Sequence, residues 1–193
     1  MPHHFECEIK LVPPAPADLL RVPDLARRLG ARVGARRLER CTDYYLETED
    51  FWFYRAGLGL RLRVDAEGQG RLALKSAGPA DEVVHRRIEI EENLRDAARA
   101  LRSRRVPGRR IAYWVGAIAG PLRVRPVLVL EQTRLAFDVR LPSRASAVIS
   151  CDAVRVPSRA GALRLREVEI ERAGGSVEAV ERFARRLQGR TGW

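Results

Sequence analysis

The chain has 193 residues, of which 46% are hydrophobic, enough for a buried core and too many for a disordered polymer. Its net charge of +11 points to an anionic partner or to a basic surface. No apolar run approaches the roughly 20 residues of a membrane span and no signal peptide is visible, so the expectation is a single domain over 1–193, in the cytoplasm and not in a membrane.

Two details of composition refine this. The three cysteines, Cys7, Cys41 and Cys151, show no CxxC spacing, which fits free thiols in a reducing compartment and argues against structural zinc. Only two of the 36 basic residues are lysine, Lys10 and Lys75, so those positions mark places where a compact ammonium is preferred to a guanidinium fork.

The opening segment, about 4–12, alternates as a strand: Glu6, Glu8 and Lys10 on one face, Phe5, Cys7, Ile9 and Leu11 on the other. Carboxylate oxygens suit a hard divalent cation and the adjacent ammonium suits a phosphate. A proline-broken helical stretch follows, with Asp24 as N-cap for Leu25 to Leu29 and Gly30 as its stop. Thr42 to Thr48 is a second strand. Leu58 to Val64 is a third, with Arg61 and Arg63 opposite Leu60, Leu62 and Val64, and Gly57-x-Gly59 makes the turn into it. Residues 65–70 form a hairpin turn into a fourth strand, Arg71 to Lys75.

The fifth strand, about 83–92, sets Arg87, Glu89 and Glu91 against Ile88 and Ile90. Asn93 is the expected cap of a basic helix over 94–105, read as a solvated face in preference to an attractor of polyphosphate or nucleic acid. Residues 106–125 read equally as short helix or loop. Strands six and seven, about 126–140 and 146–156, meet in a hairpin at Leu141-Pro142-Ser143. The eighth, 162–171, sets Glu167, Glu169 and Glu171 against Val168 and Ile170. Ser176 then caps a helix with Val177, Val180, Phe183 and Leu187 on one face. Trp52 and Phe53 read as packing residues of a turn rather than as a stacking platform.

For any one strand, a solvated charged face explains the alternation. Across the chain, carboxylates concentrate on strands one, five and eight and cations on three and four. Three glutamates on one face of strand eight repel one another unless a cation lies between them. About eight strands is also the number that closes into a barrel wide enough for a small ligand. The expected fold is therefore α+β: an eight-stranded antiparallel closed barrel, charged inside and flanked by helices outside.

Glu6-x-Glu8-x-Lys10 resembles the ExExK signature of the CYTH superfamily, the triphosphate tunnel metalloenzymes. Tyr44-Tyr45-Leu46-Glu47-Thr48, Ala56 to Arg63, Leu72-Ala73-Leu74-Lys75, Arg87-x-Glu89 and Glu167 to Glu171 resemble its later motifs, in order, over about 5–188. The members most similar are bacterial inorganic triphosphatases. The resemblance implies that Lys10, Arg61, Arg63, Lys75, Arg87 and Arg134 grip a triphosphate or polyphosphate. It implies that Glu6, Glu8, Glu167, Glu169 and Glu171 hold Mg²⁺ or Mn²⁺ and help to position water, with Glu6, Glu8, Lys10 and Glu169 closest to the chemistry. Asp152 resembles the acidic residue of the seventh strand, a metal ligand or the orienter of a basic neighbour. Gln132 departs from the pattern, standing where a basic residue is usual; Arg123, Arg125 or Arg140 would have to replace that contact.

The expected activity is metal-dependent hydrolysis of a linear triphosphate, inorganic triphosphate first, by in-line attack of water. Its rivals are adenylyl cyclisation, hydrolysis of nucleoside or thiamine triphosphates, and a polyphosphate-binding module without turnover. A nucleic-acid partner is disfavoured, because it explains the net charge but not the barrel register of the charges.

Overall fold

The computed structural model describes residues 4–77 and 84–193; the side chains of 4–7 and 84–88, and with them those of Glu6 and Arg87, lie outside the described residues. The elements run β1 (His4–Leu11), α1 (Pro16–Arg28), β2 (Arg32–Glu47), α2 (Trp52–Arg55), β3 (Leu58–Asp65), β4 (Gly70–Ser76), β5 (Val84–Leu94), α3 (Ala97–Ser103), α4 (Arg110–Ala119), β6 (Arg125–Arg140), β7 (Ser146–Ser158), β8 (Gly161–Gly174) and α5 (Val177–Thr191). The strands make an eight-stranded antiparallel sheet with flanking helices. No helix among the described residues is long and apolar enough to cross a membrane.

Two compact units draw on interleaved stretches of chain. The first holds β2 from Arg40, α2, β3, β4, β5 from Arg87, α3, α4 and β6 up to Glu131. Here β4 lies between β3 and β5, and β2 pairs with β3. Leu46 opposes Leu60, Leu60 opposes Leu74 and Leu62 opposes Leu72, so period-two leucines build one continuous apolar face. Phe53 of α2, Ala97 of α3 and Ile111 and Val115 of α4 share the core with these leucines. Burying each such leucine or phenylalanine is worth about 1.5–3 kcal/mol over leaving it exposed.

The second unit holds β1 from Glu6, α1, β2 up to Glu39, β6 from Gln132, β7, β8 and α5. β8 lies between β1 and β7. Its apolar face carries Ile9, Leu11, Ile149, Cys151, Val168 and Ile170, all buried with Leu19, Val22 and Ala26 of α1 and Val180, Phe183 and Leu187 of α5. Ser176 caps α5 as expected, its Oγ accepting the Ala179 N–H at 3.2 Å.

Several boundaries differ from the sequence reading. Helix α1 begins at Pro16 rather than after Asp24 and carries Pro23 within it. Pro16 at the first position costs no hydrogen bond, and the Asp18 carboxylate accepts the Ala15 N–H at 3.2 Å. Burial of Leu19, Val22 and Ala26 on one stripe outweighs the donor lost at Pro23. Strand β2 extends ten residues further towards the N-terminus, to Arg32. The cap of α3 is Asp96, whose Oδ1 accepts the Arg99 N–H at 2.8 Å, while Asn93 belongs to β5.

Residues 106–125 resolve in favour of a short helix, α4. Glu92, at the end of β5, accepts the N–H groups of Arg109, of Arg110 at 3.0 Å and of Ile111 at 3.3 Å, satisfying donors that the start of any helix leaves open. Helix α2 was not anticipated at all. Its first N–H, that of Trp52, is accepted by Thr48 Oγ1 at 2.8 Å, and the next two by Glu47, which accepts from Phe53 at 3.0 Å and Tyr54 at 2.9 Å. Trp52 packs edge-on to Phe53 with ring centroids 5.0 Å apart, and Phe53 is fully buried, the packing role expected of it.

Candidate functional site

The polar face of the second unit follows from strand register. Residues directly opposite in antiparallel strands point the same way. Lys10 opposes Glu169, which opposes Ser150; Glu8 opposes Glu171; Asp152 opposes Glu167. Glu8, Lys10, Asp152 and the three glutamates of β8 therefore share one face, while Ile9, Ile149 and Ile170 hold the reverse face in the core.

The cation required between the β8 glutamates is Lys10. Its Nζ donates to Glu169 Oε1 at 2.7 Å and to Glu167, with Glu8 Oε1 3.7 Å away. From β6, Arg134 reaches the other side of Glu169: Nη2 donates to Glu169 Oε2 at 2.7 Å. The same guanidinium makes a two-pronged contact with Asp152, Nε to Oδ1 at 2.8 Å and Nη2 to Oδ2 at 2.6 Å. Asp152 thus holds the Arg134 guanidinium in place. A planar fork met by a buried carboxylate fixes the arginine far more firmly than a lysine could be fixed.

These neighbours set the protonation states. Burial alone would raise the Glu169 carboxyl, but the charges of Lys10 and Arg134 hold it well below the usual range. Glu167, half-buried and beside Glu169, is pushed up by that partial burial and by the neighbouring carboxylate despite the Lys10 ammonium. Burial works to lower Lys10, and the carboxylates of Glu169 and Glu167 more than reverse it, so its ammonium titrates above 10.5. Cys151, on the apolar side of β7, is driven up to about 12 by burial and is no nucleophile at neutral pH.

The first unit has its own polar face. Arg61 opposes Tyr45 and Ala73, Arg63 opposes Asp43 and Arg71, and Lys75 opposes Gly59 and Glu89. Asp43 is 2% exposed and is gripped by Arg63, Nε to Oδ1 and Nη2 to Oδ2, each at 2.7 Å; Arg61 Nη1 lies 3.7 Å from Oδ2. Lys75 Nζ is 3.2 Å from Glu89 Oε1. The Nε of Arg61 is buried without a hydrogen-bond partner among the described residues. Small residues leave room beside these cations: a Cβ on Gly59 would meet nothing within 4 Å, and Ala73 presents only a methyl group opposite Arg61.

The sequence-derived candidates therefore fall into two groups. Glu8, Lys10, Arg134, Asp152, Glu167, Glu169 and Glu171 belong to the second unit; Arg61, Arg63 and Lys75 to the first. Asp43 was missed. Its signal was an acid alternating with Tyr45 and Glu47 on one face of the second strand, opposite Tyr44 and Leu46. Gln132 is buried and lies two residues before Arg134 on β6.

An all-oxygen donor set suits a hard divalent cation. Among the described residues, no three carboxylate, imidazole or thiolate groups converge into a ready-made metal site. Instead, the ammonium of Lys10 bridges Glu167 and Glu169 with Glu8 close by, so the carboxylates that would receive a divalent cation already surround a monovalent one. The donor set fits such an ion in its chemistry, with Lys10 as the group to be exchanged.

The family model described as CYTH domain matches residues 4–191. No curated protein matches the chain. Among solved structures, a putative adenylyl cyclase from Hippeastrum, described as revealing a dominant triphosphatase activity, aligns with a TM-score of 0.74 at 18% identity, covering 97% of this chain and 88% of that one. A putative adenylate cyclase from Bacillus halodurans aligns with a TM-score of 0.67 at 21% identity over 98% and 90% of the two chains. A Pyrococcus horikoshii protein aligns with a TM-score of 0.58 at 20% identity over 95% and 89%. At these identities the likeness is one of fold.

Proposed function

The chain belongs to the CYTH domain family, and on that premise we propose that it is a metal-dependent hydrolase of linear triphosphates, inorganic triphosphate first. The observation that carries the reading is the ordered alternation of charge on the second unit's polar face, Lys10 and Arg134 each sharing Glu169. Phosphoryl transfer asks for neutralisation of spreading negative charge and an aligned nucleophile, not for a covalent participant. The triphosphatase activity described for the Hippeastrum relative supports the same reaction type.

In this reading Lys10, Arg61, Arg63, Lys75, Arg87 and Arg134 bind phosphate oxygens, the arginines through paired N–H groups and the lysines as point charges. Asp43 and Asp152 hold Arg63 and Arg134 in orientation. Glu8, Glu167, Glu169 and Glu171, with Glu6 and Asp152, would hold Mg²⁺ or Mn²⁺. When bound, that ion would neutralise charge on the phosphate oxygens. The reading includes the closed, charge-lined barrel expected from the sequence, as one domain over the whole chain.

Glu8→Gln and Glu169→Gln test it. Each is expected to abolish Mg²⁺- or Mn²⁺-dependent phosphate release from inorganic triphosphate with an unaltered circular dichroism spectrum. Undiminished turnover in either variant would sink the metal assignment. The second reading is cyclisation of ATP, favoured by the description of two structural neighbours as putative cyclases. Cyclic AMP among the products from ATP would replace the hydrolase with it.

A further inference from the structure

Beside the first unit's core, α4 and the segment after it line an open cavity of about 630 Å³ that holds none of the residues assigned to triphosphate or metal under the proposed function. Its walls include Val106, Ala112, Val115, Gly116, Pro121 and Leu122, and Arg105 and Arg123 also line it. A short antiparallel bridge sets Arg105 directly opposite Arg123, and both are exposed. Like charges in that relation repel. Neither arginine has an ion-pair partner among the described residues. The surrounding stretch, 95–125, carries nine arginines against a single acid, Asp96.

We infer that this groove is a docking site for an acidic, amphipathic peptide segment of a partner protein, its aliphatic side chains seated against α4 and its carboxylates on Arg105 and Arg123. Charge complementarity selects an anionic partner, and the groove's lining selects among anions. The lining has no aromatic ring on which a base could stack and, apart from its two arginines, no polar side chain for a phosphate backbone. A cavity of this size accepts a few aliphatic side chains, the anchors of an amphipathic helix in a groove. Without a partner, the two opposed guanidinium groups stay uncompensated above an apolar floor. With one, that repulsion becomes attraction and the floor is covered.

Gly116 provides a perturbation: it lines the groove and a Cβ added there meets nothing within 4 Å, so Gly116→Leu places a bulky side chain at the lining from an unobstructed first atom. The probe is a labelled peptide with glutamates along one helical face and leucines along the other, followed by fluorescence anisotropy at physiological salt. Saturable binding is expected, weakened at least about tenfold by Gly116→Leu and similarly by Arg105→Glu. Replacing the probe's leucines with serine should weaken it about a hundredfold. The inference is overturned if the serine peptide binds as tightly, or if Arg105→Glu weakens a single-stranded oligonucleotide or long-chain polyphosphate more than it weakens the leucine peptide. It is also overturned if neither variant changes the affinity. Should Gly116→Leu fail to fold, Arg105→Glu, at an exposed position, decides alone.

Discussion

Replacing Asp43 with asparagine removes one negative charge while keeping the shape of the side chain. In the native protein the carboxylate is 2% exposed, meets both prongs of Arg63 at 2.7 Å, and has the Arg61 guanidinium 3.7 Å away. Removing one partner of a fully buried pair costs about 3–5 kcal/mol, mostly because the other charge is stranded. The side chains of Arg63 and Arg61 are 14% and 20% exposed, so water recovers part of that cost; about 2–3 kcal/mol is expected. For a chain of this length the melting temperature should fall by about 4–12 °C. Differential scanning calorimetry measures it. The control is Asp138→Asn, which breaks a pair of ordinary length, 2.9 Å to Arg37, whose side chains are 62% and 47% exposed. That change should leave the melting temperature close to the wild-type value, because solvent screens so exposed a pair. In the double variant Asp43→Asn/Arg63→Met the stranded guanidinium of Arg63 is gone, and the loss should be smaller than the sum of the single losses. A fall for Asp43→Asn no larger than that for Asp138→Asn refutes the claim that Asp43 holds these arginines.

Lys10→Met tests the ammonium's electrostatic role through pH, in chelator-treated protein. Lys10 titrates above its ordinary 10.5 in the folded state, so its contribution is full below pH 10.5 and is lost as pH rises through the folded value. Glu169 titrates below its ordinary 4.5, so its share is present above pH 4.5 and is lost as pH falls towards the folded value. The difference in melting temperature between wild type and variant should therefore be widest between those limits and narrow beyond each; a difference independent of pH contradicts the pairing. Gly108→Ala tests the cap of α4, because Gly108 has φ of +79° and its added Cβ would clash with the Glu92 carboxylate. Strain and a displaced cap should cost at least about 1–3 kcal/mol in a denaturant titration, and an unchanged midpoint would contradict the capping role.

What the sequence made legible depended on whether a segment has one buried face. Strands β3, β4 and the later part of β8 alternate because Leu60, Leu62, Leu72, Leu74, Val168 and Ile170 enter a core while the charges between them do not, so the polar face followed; Leu163 and Leu165, earlier in β8, are exposed. The early part of β2, Arg32 to Arg40, has almost no buried residue, and a strand without a burial asymmetry carries no period to read. Helix α1 was placed too late because Pro23 reads as a breaker, and only the tertiary stripe of Leu19, Val22 and Ala26 overrides it. The caps supplied by Glu47 and Glu92 escaped notice because each acid precedes its helix by several residues or more, outside the local capping pattern. In the candidate site, the charges on β1, β3, β4 and β8 were visible from alternation. That Lys10 rather than a guanidinium bridges the β8 glutamates became visible only in the coordinates, as did the forks of Asp43 and Asp152. Such pairings depend on strand order, and short-range patterns do not encode strand order.

The central claim is that this charge pattern hydrolyses triphosphates with a divalent cation. Phosphate release, measured in parallel on inorganic triphosphate, pyrophosphate, long-chain polyphosphate, ATP and thiamine triphosphate with Mg²⁺ or Mn²⁺ and after chelation, tests it most directly. Turnover greatest on inorganic triphosphate and abolished by chelation is the predicted result; tight polyphosphate binding with no phosphate released from any substrate under either metal would contradict it.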